Sequence, residues 1–161
     1  MLKNLGTIAA TAIVLLILLA TSVPLMHWFV RDGREAEFAA NTALWSDHGI
    51  EDYRYSVRVD CECPPPAGTA IDVVVRDGRA VSVEVSAGGS GDRATGFDAV
   101  PETIDAMFAT VREGIDADPD TIIVEYDTDY GFPSLLRIDH RRDYSDDDVT
   151  IEITGFRILR P

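Results

Sequence analysis

The stretch that decides the fold is Ala70-Ile-Asp-Val-Val-Val-Arg-Asp-Gly-Arg-Ala-Val-Ser-Val-Glu-Val85. Branched apolar residues alternate with polar ones on both sides of Asp77-Gly78. A period of two is typical of half-buried strands in an antiparallel sheet. Because Asp-Gly is a strong hairpin turn signal, residues 70–85 are predicted to form a β-hairpin.

Two registers are possible for this hairpin. A two-residue turn at Asp77-Gly78 would place Val73 opposite Ser82. A three-residue loop over residues 76–78, with Gly78 in the left-handed conformation, would instead place Val73 opposite Val81, and Ile71 opposite Val83. The second register gathers the branched residues on one face, so the sequence favours the three-residue bulged loop.

The same alternation extends outward along the chain. It predicts further strands over residues 52–60, 121–126, 134–139 and 149–156. Helical spacing of apolar residues predicts helices over 35–48 and 102–115, with Phe108 on the apolar face of the second. The order helix-βββ-helix-βββ predicts an α+β domain, built either as a tandem αβββ sandwich or as one antiparallel sheet with helices on one face.

The first 30 residues differ from the rest. No Asp, Glu, Lys or Arg occurs between Asn4 and Val30, and Trp28 and Phe29 stand at the far edge of this apolar run. Because about 20 apolar residues suffice to span a bilayer, residues 1–30 are predicted to form an N-terminal signal anchor, a transmembrane helix that contacts the lipid bilayer through residues 5–30. The alternative is a cleaved signal peptide and a secreted protein.

The remaining domain, residues 31–161, is strongly acidic. It holds 13 arginines against 28 acidic residues, a net charge of −15. The acid excess argues against nucleic-acid binding and against a polybasic membrane-surface domain. Acidic residues dispersed along a chain are typical of a solvated surface. The short basic tip before the predicted span and the paired cysteines of the domain favour a single-pass protein of the plasma membrane with its C-terminal domain outside the cytoplasm.

The two cysteines form a Cys61-Glu-Cys63 sequence followed by three prolines. Outside the cytoplasm the two thiols are expected to form a disulfide, provided that Glu62 lies in a turn. A redox pair and a metal site are the alternatives, although no histidine or third cysteine is close in sequence.

Asp127-Thr-Asp129 has the alternating oxygen ligands of a calcium loop, but Ile138 occupies the position where a calcium loop has its Glu. Asp139 could complete a carboxylate cluster, and the alternative is a tight turn. No catalytic motif is recognised, and no cofactor is expected. The sequence therefore disfavours an enzyme without excluding one.

The order of several motifs resembles a bacterial domain of unknown function, family 6174, over about residues 40–157. The residues that carry the resemblance are Trp45, Tyr53-x-Tyr55, Cys61-x-Cys63-Pro64, Val75-Arg-Asp77-Gly78-Arg-Ala-Val81, Thr103-Ile104-Asp105-x-x-Phe108, Tyr126-Asp127-x-x-Tyr130-Gly131-Phe132-Pro133 and Ile138-Asp139. The resemblance implies a membrane- or lipid-anchored extracytoplasmic protein and brings no reaction. The chain lacks a lipobox cysteine, which favours a membrane span over a lipid anchor.

The leading hypothesis is a non-enzymatic domain that binds a partner in the cell envelope or assists envelope assembly. The alternative is a thiol-redox or metal-binding factor that uses Cys61 and Cys63. An aromatic contact surface could bind such a partner, and its candidate residues are Tyr53, Tyr55, Tyr130 and Phe132. The alternation along the first strand nevertheless favours a core position for Tyr53 and Tyr55.

Overall fold

A computed structural model of the chain describes residues 31–62, 68–86, 100–141 and 148–160. The chain divides into two compact units, Met1–Ala39 and Ala40–Pro161. Helix α1 covers the described residues 31–48. The other elements are β1 Tyr53–Cys61, β2 Ala70–Arg76, β3 Arg79–Val85, α2 Ile104–Asp116, β4 Thr121–Tyr126, β5 Pro133–Asp139 and β6 Val149–Ile158. The predicted α+β class and the predicted order of helices and strands along the chain are thereby confirmed.

The six strands form one antiparallel sheet in the order β3-β2-β1-β6-β5-β4. Each set of three consecutive strands is a meander, and the meanders join where β1 pairs with β6. Of the two architectures that the sequence left open, the structure has the continuous sheet. The first and last strands of the domain therefore lie together at its centre.

One face of the sheet forms the core. Alternate residues of β1 are buried, from Tyr53 to Val59, while Arg54 and Arg58 between them are exposed. Helix α2 packs on β4 and β5 with its predicted apolar face buried. Trp45 of α1 packs on Tyr53 on the same side of the sheet. The opposite face, which carries Arg54, Arg58 and Arg137, is more exposed and more polar than the core face.

The β2–β3 hairpin differs from the predicted three-residue loop. Arg76 pairs with Arg79 across a two-residue turn, in which Asp77 and Gly78 have φ values of 48° and 69°. A bulge at Val81, which is 62% exposed, then shifts the register so that Val73 pairs with Val83. The prediction for Gly78 is correct in its left-handed conformation and wrong in loop length. The two-residue turn suits Asp-Gly, and the bulge brings Val83 and Val85 opposite Val73 and Ile71 while leaving Val81 exposed.

The carboxylate of Asp52 braces this turn from the start of β1. It accepts hydrogen bonds from the Asp77 backbone N–H at 3.0 Å and from Arg76 Nη1 at 2.9 Å. These bonds, first the one from Asp77 and then the one from Arg76, hold the pKa of Asp52 below its ordinary value.

The predicted membrane span over residues 5–30 lies outside the described residues. Within the four described ranges, no helix is long and apolar enough to cross a membrane.

Candidate binding groove on the open sheet face

Several residues of the recognised motifs meet in one aromatic cluster at the C-terminal end of α1. The ring centroid of Trp45 lies 5.5 Å from that of Tyr53, 6.1 Å from that of Phe132 and 5.9 Å from that of Phe156. Trp45 Nε1 also donates to Asp105 Oδ1 of α2 at 3.1 Å. The cluster joins both helices to the sheet, which gives these motif residues a structural role.

The predicted aromatic contact surface is not formed. Tyr53, Tyr55 and Phe132 are only 2–3% exposed and belong to the core. Tyr130 is half-buried, with its ring against Phe156 and His48.

The hydroxyls of Tyr53 and Tyr55 hold the N-terminus of α2. Tyr55 Oη donates to the carbonyl oxygen of Pro101 at 2.6 Å, and Tyr53 Oη accepts from the backbone N–H of Ile104 at 3.0 Å. Thr103 supplies the N-cap by accepting from the Ala106 N–H at 3.0 Å. Burial raises the pKa of Tyr53 to about 12 and also raises the pKa of Tyr55. Both hydroxyls therefore stay protonated at neutral pH and have a structural role.

The candidate calcium residues do not form one site. Asp127 Oδ1 accepts from the backbone N–H groups of Asp129 and Tyr130, at 3.0 and 2.8 Å, and so closes the turn after β4. Asp139 pairs with Thr121 at the other end of the β4–β5 hairpin. The described part of the chain contains no group of three or more His, Cys, Asp or Glu side chains placed to hold a metal ion. The turn alternative fits Asp127.

The β4–β5 turn is also packed tightly against α1. Gly131 has a φ of 77°, and a Cβ at this position would lie 2.7 Å from the carbonyl oxygen of Asn41. The Gly131 N–H donates to the carbonyl oxygen of Asp127 at 2.9 Å. Tyr126 ends β4 and is paired with Pro133, the first residue of β5, after a register shift. These motif residues therefore determine how the turn fits beneath the helix.

Cys61 is the last residue of β1 and is paired with Val149 of β6. Cys63 lies outside the described residues, so the disulfide between the two stays a prediction.

A groove of about 290 Å³ opens on the polar face of the sheet, beside a bulge in β6. The bulge places two residues of β6, Gly155 and Phe156, opposite Tyr55, and Gly155 has a φ of 64°. A glycine at this point leaves the floor of the groove free of a side chain. The lining residues are Arg54, Tyr55, Ser56, Asp72, Val73, Val74, Gly155 and Arg157.

Two arginines dominate the charge of the groove. Arg54 of β1 and Arg157 of β6 are direct cross-strand partners, and both are exposed. Within the described ranges neither side chain has a carboxylate partner, whereas Arg58, Arg76 and Arg112 each have one. Like charges directly opposite each other in a sheet are destabilising. The pairing of Arg54 with Arg157 therefore does not stabilise the fold, and its presence suggests a role in binding.

Sequence reasoning missed this groove. Alternation along β1 does place Arg54 and Ser56 on the solvent side, and that signal was present. Arg157 is brought beside Arg54 by the β1–β6 pairing, which no local pattern in the sequence indicates.

The fold defines the class of protein: an α+β domain with a single six-stranded antiparallel sheet, helices on one face and a charged groove on the other. The chain belongs to the Family of unknown function (DUF6174), whose family model matches residues 37–158. This match confirms the resemblance carried by the sequence motifs. Comparisons with the curated proteins and with the solved structures gave no match.

Proposed function

We propose that this protein is a non-enzymatic binding protein of the cell envelope, and that the groove on the open sheet face binds an anionic group of its ligand. In this proposal residues 5–30 anchor the chain in the plasma membrane, and the domain lies outside the cytoplasm. The observation that carries the binding function is the directly opposed pair Arg54 and Arg157.

The charge of the domain makes this pair unusual. A surface with a net charge of −15 offers many carboxylates, yet neither arginine is paired with one in the described part of the chain. A ligand carboxylate or phosphate between two guanidinium groups would accept charge-assisted, bidentate hydrogen bonds and relieve their repulsion. The cost of the pair to the free protein would then be recovered on binding.

The acidic surface also restricts the size of the ligand. Charges separated by more than about 8 Å are largely screened at physiological ionic strength, so a compact anion in the groove responds mainly to the two arginines. A large polyanion would meet the surrounding carboxylates as well. The domain therefore favours a small anionic group over an extended one.

Replacement of the arginines tests the binding function. Arg54→Gln and Arg157→Gln remove the positive charge and keep an unbranched polar side chain. Arg137→Gln is the matched control, because Arg137 is exposed on β5 outside the groove. Ligand-observed NMR on the full chain in detergent, with acetate and inorganic phosphate as probes, should show saturable binding that is lost in both groove variants and kept in the control. Binding that is insensitive to both groove arginines would refute the proposal.

The membrane topology has a separate test. An alkaline phosphatase fused after Pro161 should be active in a bacterial host, because the enzyme requires an extracytoplasmic location to form its disulfides. An inactive fusion that is expressed at full length would refute the proposed orientation.

A further inference from the structure

The groove contains charges of both signs. Asp72 lies on β2 beside Ser56 of β1, and the Ser56 hydroxyl donates to Asp72 Oδ1. Within the described ranges the Asp72 carboxylate has no basic partner, although Arg54 and Arg157 line the same groove. Oδ2 of Asp72 thus remains available for a donor from a ligand. The groove has a cationic end and an anionic end that do not neutralise each other.

The sheet register sets the spacing between the two ends. Arg54 pairs with Val74 on one side and with Arg157 on the other, while Asp72 pairs with Ser56, two residues further along β1. Two residues of a strand correspond to about 6.6 Å, and neighbouring strands lie about 4.8 Å apart, so the Cα atoms of Arg54 and Asp72 are separated by about 8 Å. An extended chain of two residues spans at most about 7 Å, and the long arginine side chain covers the remaining distance, so a dipeptide can connect the two charges.

The size of the groove agrees with a ligand of this length. Its volume of about 290 Å³ lies just below the range of about 300–1,000 Å³ that is usual for small-molecule sites, as expected for a small ligand. The side-chain-free floor at Gly155 lets a ligand approach the backbone of β6: a Cβ there would have a single neighbour within 4.0 Å, Ser56 Oγ.

We infer that the groove binds a zwitterion of dipeptide length, with its carboxylate between Arg54 and Arg157 and its ammonium group at Asp72. This inference rests on the proposed function and deepens it, because it names the second charge that the ligand carries. The carboxylate accepts hydrogen bonds from both guanidinium groups, and the ammonium group donates to the free oxygen of Asp72.

The test uses chemically matched probes on the full chain in detergent, with dissociation constants from ligand-observed NMR. The probes are alanylalanine, N-acetyl-alanylalanine, which lacks the ammonium group, and alanylalanine amide, which lacks the carboxylate. Hydrogen bonds between charged groups contribute about 1.5–3 kcal/mol, so each blocked form should bind about 10-fold or more weakly than the free dipeptide. Alanine and trialanine test the length and should also bind more weakly.

Variants assign each charge to its residue. Asp72→Asn keeps an oxygen for Ser56 but loses the negative charge, so the variant should bind free and acetylated alanylalanine equally. Arg54→Gln should lose both, and Arg137→Gln should behave as the wild type. Because all three positions are exposed, thermal unfolding should confirm that each variant is folded.

The outcomes separate the two proposals. If the acetylated dipeptide binds as tightly as the free one, with Arg54 still required and Asp72→Asn without effect, the zwitterion is refuted and the anion-binding function stands. If no probe depends on Arg54 or Arg157, both are refuted.

Discussion

The backbone carbonyl oxygen of Asn41 in α1 lies directly against Gly131 in the β4–β5 turn. A Cβ on Gly131 would be 2.7 Å from that oxygen and 3.0 Å from Leu44 Cβ. Because the first of these atoms belongs to the helix backbone, it cannot move aside as a flexible side chain would. The turn and the helix therefore fit together only with glycine at this position.

Gly131→Ala is accordingly expected to destabilise the protein by about 2 to 4 kcal/mol, through strain at positive φ and the clash with α1. Thermal and urea unfolding of the full chain measure this loss. Gly49→Ala is the matched control: Gly49 also has a positive φ, 56°, but a Cβ there meets nothing within 4 Å. The control should cost only about 1 kcal/mol. Equal losses in the two variants would contradict the role of the close approach.

High pH should unfold the domain through Tyr53 and Tyr55. In the unfolded chain these tyrosines lose their protons near pH 10, whereas burial raises the pKa of Tyr53 to about 12 in the folded chain and that of Tyr55 as well. Above pH 10 the folded state therefore holds more protons than the unfolded state, and the free energy of unfolding falls as the pH rises.

Unfolding curves between pH 7 and pH 12 test this expectation. Tyr55→Phe should flatten the alkaline decline, and at neutral pH it should cost about 1 to 3 kcal/mol because the Pro101 carbonyl loses its donor. Tyr130→Phe is the control and should keep the decline, since Tyr53 and Tyr55 remain. A Tyr55→Phe variant that declines as steeply as the wild type would refute the assignment.

Acid should weaken the brace between Asp52 and the β2–β3 turn. The pKa of Asp52 is lowered in the folded state by the Asp77 N–H and by Arg76. The stabilising contribution is therefore complete above the ordinary value of 3.8 and is lost as the pH falls through the folded pKa. Asp52→Asn should lower the midpoint of thermal unfolding at pH 7 and reduce the loss of stability on acidification. Asp47→Asn, an exposed acid on α1, should do neither.

The predicted disulfide can be tested on protein purified without a reductant. We expect no reactive thiol in denaturant before reduction and two after it. Because the loop between Cys61 and Cys63 is very short, Cys61→Ser should cost only roughly 1 to 2 kcal/mol. Two reactive thiols without a reductant would contradict the disulfide and favour the redox or metal alternatives.

Local patterns in the sequence were sufficient to predict the helices and strands and the face that each of them buries. The alternation from Tyr53 to Val59 gave the buried face of β1, and the helical spacing from Ile104 to Ile115 gave that of α2. These signals are reliable because a strand or a helix buries one face whatever its neighbours are. The predicted register of the β2–β3 hairpin was wrong because a bulge at Val81 changes which residues pair, and the alternation of apolar and polar residues does not reveal a bulge.

Long-range pairing could not be derived in the same way. The groove exists because β1 lies beside β6, which brings Arg157 opposite Arg54 and Gly155 beside Ser56. Residues 157 and 54 share no local pattern, and one sequence alone does not reveal which strands pair. The separation of the candidate calcium residues has a related cause: Asp127 and Asp139 are 12 residues apart in sequence, and the extended strand between them places them at opposite ends of a hairpin.

The pairing of the first strand with the last also governs the order in which the domain can be completed. Val57 of β1 pairs with Ile153 of β6, 96 residues later, so the centre of the sheet can be completed only after β6 has been synthesised. Until β6 has emerged, β1 and β5 each present an unpaired strand edge, and such edges promote aggregation. A chain that ends before β6 would thus lack a central strand of the sheet and not an edge strand. During synthesis, these two edges stay unpaired until the residues of β6, up to Ile158, have emerged.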